Sequence, residues 1–271
     1  NNSNKPKEEE PQKEEETKKE IEIEEISEDY SDFVNKTFKK WEGQIIKVVE
    51  NEYNENKIKS LSVLIAQVMN FVSSASFLKG LRKYVIKAID NGVEEAETTL
   101  NFNFVSGEEM KSLVDIEFNK QLNGYNINGF QWAGIKGVTR EVQAKILKII
   151  EDGISSRRSV NLVKNDIHDL FLKEYGRTED GKELEGRSMA IARTETIRLK
   201  ELGKHTALEN SGLEVSKQWV ATMDSRTSER CKRLNGSIVK LRDKFRDGEE
   251  EYLTPPSHVN CRCRTKAILN E

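Results

Sequence analysis

Cys231, His258, Cys261 and Cys263 are the residues of this chain whose types and spacing lend themselves most directly to chemistry. They account for all 3 cysteines and one of the 3 histidines, and they lie beside the proline pair Pro255-Pro256. Three thiols and an imidazole supply the four donors that close a tetrahedral zinc shell. Cys-x-Cys is less usual than Cys-x-x-Cys, and 26 residues separate Cys231 from His258, so the spacing matches no common finger. Two other readings stand beside zinc. The cysteines can be ordinary thiols, or a disulfide between Cys231 and one partner. A third possibility is a nucleophilic cysteine activated by His258 and Asp224, although no familiar nucleophile motif surrounds either candidate thiol.

Two further groups accompany the cysteines. Arg193 and Glu195 are two residues apart and do not face one another on a helix, so each needs another partner. A buried ion-pair network linking them to Asp224 and Arg226 is the reading preferred over acid–base catalysis, because no serine, histidine or phosphate-binding glycine loop completes a mechanism. Arg230, Lys232 and Arg233, with Arg262, Arg264 and Lys266, form a basic cluster able to contact DNA phosphates through counterion release. Such clusters are equally common on solvated surfaces.

These residues must be positioned by helices and a few short strands. No proline occurs between Gln12 and Thr254, which permits long helices. Apolar residues recur at helical intervals at Phe33, Val34, Phe38 and Trp41, at Leu61, Leu64, Ile65, Val68 and Met69, and at Leu81, Tyr84, Val85, Ala88 and Ile89. Ser106 to Glu109 has the form of a capping box, Thr139 and Ser159 are candidate helix starts, and Asn123-Gly124 and Asn128-Gly129 are turn dipeptides. A helix running through Arg193 stops at Ser211-Gly212, and segments 215–220 and 237–241 alternate as strands do. The expected fold is mainly α with a small C-terminal α+β domain. Its parts are an acidic, disordered tail or linker over 1–30, a helical region over 31–185 and the small domain over 186–271.

The chain is 35% hydrophobic and 34% charged, so part of it lies outside a packed core. Its net charge of -3 conceals an asymmetry: residues 1–30 hold 5 Lys against 12 Asp and Glu, whereas residues 187–271 hold 17 Lys and Arg against 12 acids. Neither a strongly basic nucleic-acid binder nor an acid-coated surface is implied. The most apolar run, 61–72, is too short and too polar to cross a bilayer, and no membrane association is expected. The cysteine count fits synthesis in a reducing cytosol.

Taken in order, Ile191-Ala192-Arg193-Thr194-Glu195-Thr196, Trp219, Asp224-x-Arg226, Cys231-x-x-x-Asn235-Gly236 and Pro255-Pro256-x-His258-x-Asn260-Cys261-Arg262-Cys263 resemble the phage head morphogenesis family, minor head proteins similar to the F protein of phage Mu. The resemblance implies a non-enzymatic minor capsid protein. It would be located inside the phage head, and in the host cytoplasm during assembly, and would act in head assembly and DNA packaging or delivery. It also implies the portal protein as partner, with phage DNA and further copies of the chain as other contacts. A cysteine-dependent enzyme or toxin-like domain, and a plain DNA-binding module, are the alternatives from other classes.

Overall fold

The computed structural model describes residues 9–53, 58–101, 105–127, 130–175 and 187–270. Its first element, α1 (Glu9–Glu52), is a single helix of 44 residues. Ile26, Tyr30, Val34, Phe38, Trp41, Ile45 and Val49 recur every three or four residues along it, and all are buried. At 3.6 residues per turn, such spacing makes one apolar stripe. The acidic segment expected to be a tail is therefore helical from Glu9, while residues 1–8 lie outside the described residues. Two features of the sequence account for the difference. Pro11 falls in the first turn, where a missing N–H costs little. Glu14 and Glu15 precede Lys18 and Lys19 by four residues, the order that favours helix.

The α1 stripe packs on Ile65 and Met69 of α2 (Ile58–Met69) and on Phe77 and Leu81 of α3 (Ala75–Leu100). Val142 and Ile146 of α5 (Gly134–Ser155), with Ile167 and Phe171 of α6 (Val160–Tyr175), complete this core. A 3₁₀ turn, Asn70–Ser73, joins α2 to α3. Between α3 and α5 lies α4 (Gly107–Asn123), which starts at the expected capping box: the Ser106 hydroxyl accepts the Glu109 N–H and the Glu109 carboxylate accepts the Ser106 N–H. The short antiparallel strands β1 (Tyr125–Ile127) and β2 (Phe130–Trp132) follow, and the Asn128-Gly129 turn between them lies outside the described residues. Thr139 does not cap α5. It lies within that helix and donates its hydroxyl to the Ile135 carbonyl.

Helix α7 (Arg187–Asn210) crosses α3 backbone to backbone. A Cβ added at Gly92 would stand 1.9 Å from the Lys200 carbonyl oxygen, and one at Gly203 2.4 Å from that of Ile89. Packed also against α1 and the last strand, α7 is buried along most of its length although it is rich in charge. Beyond it, β3 (Val215–Val220) is the middle strand of an antiparallel sheet, flanked by β4 (Ile238–Lys240) and β7 (Arg264–Leu269). A six-residue helix, α8 (Glu229–Leu234), and the ribbon of β5 (Phe245–Asp247) and β6 (Glu250–Tyr252) cover Trp219. The fold is thus mainly α with a small α+β C-terminal part. Strands β5 to β7 were not foreseen from the sequence.

Candidate metal centre

Cys231 sits in the first turn of α8, whose N-cap is Ser228: the Ser228 hydroxyl accepts the Cys231 N–H at 3.2 Å. His258 and Cys261 come from the loop that leads into β7. The His258 Nε2 atom is 3.1 Å from Cys231 Sγ, and Cys261 Sγ is 3.8 Å from Cys231 Sγ. These three donor atoms all lie within 4.8 Å of one another. Cys231 and Cys261 are almost fully buried, in a small core with Trp219, Phe245 and Tyr252.

The imidazole is oriented by its other nitrogen, which lies 2.7 Å from the Val259 carbonyl oxygen. A carbonyl only accepts, so Nδ1 carries a proton and the neutral ring turns the Nε2 lone pair toward the sulfurs. Metal-binding histidines are commonly fixed in this way. A tetrahedral zinc with Zn–S bonds of about 2.3 Å sets its sulfurs about 3.8 Å apart, matching the Cys231–Cys261 separation. The corresponding S···N separation, about 3.5 Å, exceeds the observed one by an amount that a small ring movement accommodates.

Without an ion the cluster shares protons. Hydrogen bonds from Cys261, then Cys263, push the Cys231 thiol far below its ordinary range against the effect of burial, and His258 assists. The Cys231 sulfur in turn raises His258, lifts Cys261 to about 11 and raises Cys263. One thiolate ringed by donors is the electrostatic arrangement that a cation replaces, with release of those protons. Cys263 bears on both other thiols but stands outside the three-residue group expected to include it.

Asp224 is not part of this cluster. Its carboxylate is bound by the Arg262 guanidinium at 2.7 and 2.6 Å and caps the Arg226 N–H at 2.8 Å. Arg262, followed by these other donors, holds Asp224 well below the usual carboxylate range. His258 is thus oriented by a main-chain carbonyl, and the Cys–His–Asp triad anticipated as an alternative does not assemble.

Residues 140–266 match the family model described as Phage Mu protein F like protein. Over this segment the chain is similar to that family. The segment begins within α5, well before the motifs that carried the resemblance, so it takes in α6 and α7 together with the sheet. No curated protein and no solved structure matches the chain significantly.

Within the matched segment, hydrogen bonds of the four residues expected to form one polar network fall in three places. Arg193 donates to Asn260 Oδ1 and to Glu24 Oε1, each at 2.6 Å. Glu195 accepts from Arg198 at 2.9 Å and from the Tyr125 hydroxyl, while Arg198 also reaches Glu117. Asp224 and Arg226 stay in their own turn with Arg262.

The cations proposed for DNA are largely matched by acids. Arg233 makes two 2.7 Å bonds to Asp247, Arg230 reaches Glu250 at 2.5 Å, Lys232 reaches Glu229 at 2.7 Å and Arg262 reaches Asp224. Arg264 is buried, whereas Lys266 is exposed. The cluster therefore presents much less uncompensated charge than its sequence suggests.

The sequence reading missed the charges along α7. Lys200 and Lys204 both pair with Glu95, at 2.9 and 2.6 Å, and Glu201 accepts the Thr265 N–H at 2.9 Å. Burial pushes Glu95 up, but Lys204 and Lys200 outweigh it and the carboxyl falls to about 2. Burial raises Glu201, and it lowers His205 to about 4. No local pattern signals these pairs, because their partners are far away in the chain.

Proposed function

We propose that this chain is a phage minor head protein that associates with the portal and acts in head assembly and DNA packaging or delivery, without enzymatic activity. The observation that carries the reading is a buried donor cluster inside the segment similar to that family. A catalytic thiol must meet its substrate, whereas Cys231 and Cys261 are 2% and 1% exposed and face one another in a packed core. Cys231, His258 through Nε2, Cys261 and Cys263 would hold one structural zinc. When bound, zinc supplies a cross-link between α8 and the loop before β7, in a region with a small apolar core of its own. The Val259 carbonyl positions the ring through Nδ1, and Ser257 lies 3.6 Å from Cys231 Sγ. Among the described residues no helix is long and apolar enough to cross a membrane.

The test is co-expression with the portal and major capsid proteins of the same phage, followed by sedimentation of the heads. The chain is expected to sediment with portal-containing heads and to be absent from heads lacking the portal. Heads that assemble with a portal but without this chain would contradict the reading.

A further inference from the structure

Asn260 stands between the proposed ligands His258 and Cys261 and makes contacts that the ligand role does not require. Its backbone is left-handed, with φ 62°, a conformation asparagine tolerates better than most residues. Its N–H donates to the Thr194 hydroxyl at 2.8 Å, and that hydroxyl donates to the Ala190 carbonyl at 2.6 Å. Its Oδ1 accepts Nη1 of Arg193, whose Nη2 donates to Glu24 on α1. The Arg193 guanidinium is buried, so its acceptors are needed to keep a charge there.

The ligand loop, α7 and α1 are thereby joined in sequence: His258 and Cys261 flank Asn260, Asn260 holds Arg193, and Arg193 holds Glu24. The part of α1 around Glu24 depends on such contacts. Its C-terminal half contributes Tyr30 through Val49 to the largest core, whereas around Glu24 the buried apolar residues are Ile23 and Ile26. Polar ties at Glu22–Asn91 and Asp29–Lys87 are its other anchors there.

We propose that Asn260 is a positioning residue that latches the N-terminal arm of α1 to the metal loop, so that metal occupancy sets how firmly the acidic arm docks. The proposal rests on the metal reading for its second half only. An ion gripping residues 258 and 261 holds Asn260 in its left-handed conformation, with its carboxamide aimed at Arg193. When the ion leaves, the loop gains freedom, Arg193 loses a fixed acceptor, and Glu24 loses a fixed donor. The arm that is released is the acidic end of the chain, where a basic partner surface could replace Arg193.

The test is amide hydrogen exchange on the full chain, with metal content measured on the same samples. Asn260→Gly keeps the left-handed backbone and the main-chain bond to Thr194 and removes only the carboxamide. It is expected to speed exchange over residues 21–28 by about tenfold or more, the loss of one hydrogen bond to a buried charge, while residues 38–49 and metal content stay unchanged. Glu24→Gln should speed the same segment without affecting residues 257–263. Chelating the metal from the wild type should reproduce the Asn260→Gly effect over 21–28 and add little to the variant. Unchanged exchange over 21–28 in both variants would overturn the latch. Loss of metal without faster exchange there would overturn its control by metal. Protein that never contains metal would contradict the metal reading instead, and the two variants would still decide the latch.

Discussion

Two buried polar clusters in this molecule follow different rules. Along α7, Arg198 lies between Glu195 and Glu117, and Glu95 lies between Lys200 and Lys204, so opposite charges complete one another. In the C-terminal core, Cys231, Cys261 and Cys263 with His258 present soft donors to one another. The first cluster is closed by the protein alone. In the second, Cys231, His258 and Cys261 have the spacing of donors that an ion closes. A packed interior accepts polar groups only when they are paired, and pairing can come from distant helices or from outside the chain.

Removing the ion should separate the two clusters most clearly. Chelation, or Cys261→Ser, is expected to free α8 and the ligand loop while the helical signal and the packing of β7 on α7 persist, because structural zinc contributes folding free energy where it binds. Circular dichroism together with exchange mapping would check this, and cooperative loss of both regions would show that they share one stability. Arg198→Ala attacks the closed cluster. It leaves Glu195 and Glu117 buried without their common partner and should cost about 3–5 kcal/mol in urea unfolding. A cost under about 1 kcal/mol would mean that water reaches the site.

Acid probes the same seam more gently. Burial first, then the Lys217 charge, depress His205 to about 4 in the folded state from an ordinary value near 6.5. Its neutral burial costs nothing above pH 6.5, and stability is lost as pH falls from 6.5 through 4, where the unfolded chain binds the extra proton. A loss of about 2–3 kcal/mol over that window is expected. His205→Gln should flatten it in urea midpoints taken at pH 7 and pH 4.5. Glu95 then contributes a further loss between its ordinary value of 4.5 and about 2, because its folded value is depressed. Smallest of all, Arg233→Ala removes a surface pair with Asp247 and should leave the urea midpoint nearly unchanged.

Local signals in the sequence were reliable guides where a single element suffices. The Ser106 capping box, the stop at Ser211-Gly212 and the strand at 215–220 all follow from residues within a few positions of one another. Where order within a segment mattered more than composition, the reading failed: the Lys- and Glu-rich stretch after Glu9 is helical. The α7 pairs were invisible because Glu95, Glu117 and Thr265 reach their partners from 64 to 109 residues away. At the candidate site the ligand types were readable from four residues, but not the features that orient them. The Ser228 cap, the Val259 carbonyl behind His258 and the left-handed Asn260 are properties of the folded loop.

Whether the thiol cluster is a zinc site is decided by metal stoichiometry. Native mass spectrometry of the full chain, purified without chelators or an immobilised-metal column, is expected to show one zinc per chain. That zinc should be lost in Cys231→Ser and Cys261→Ser and retained in Arg198→Ala. A metal-free wild type that is as stable as its Cys261→Ser variant would contradict the claim and leave the thiols as ordinary core residues.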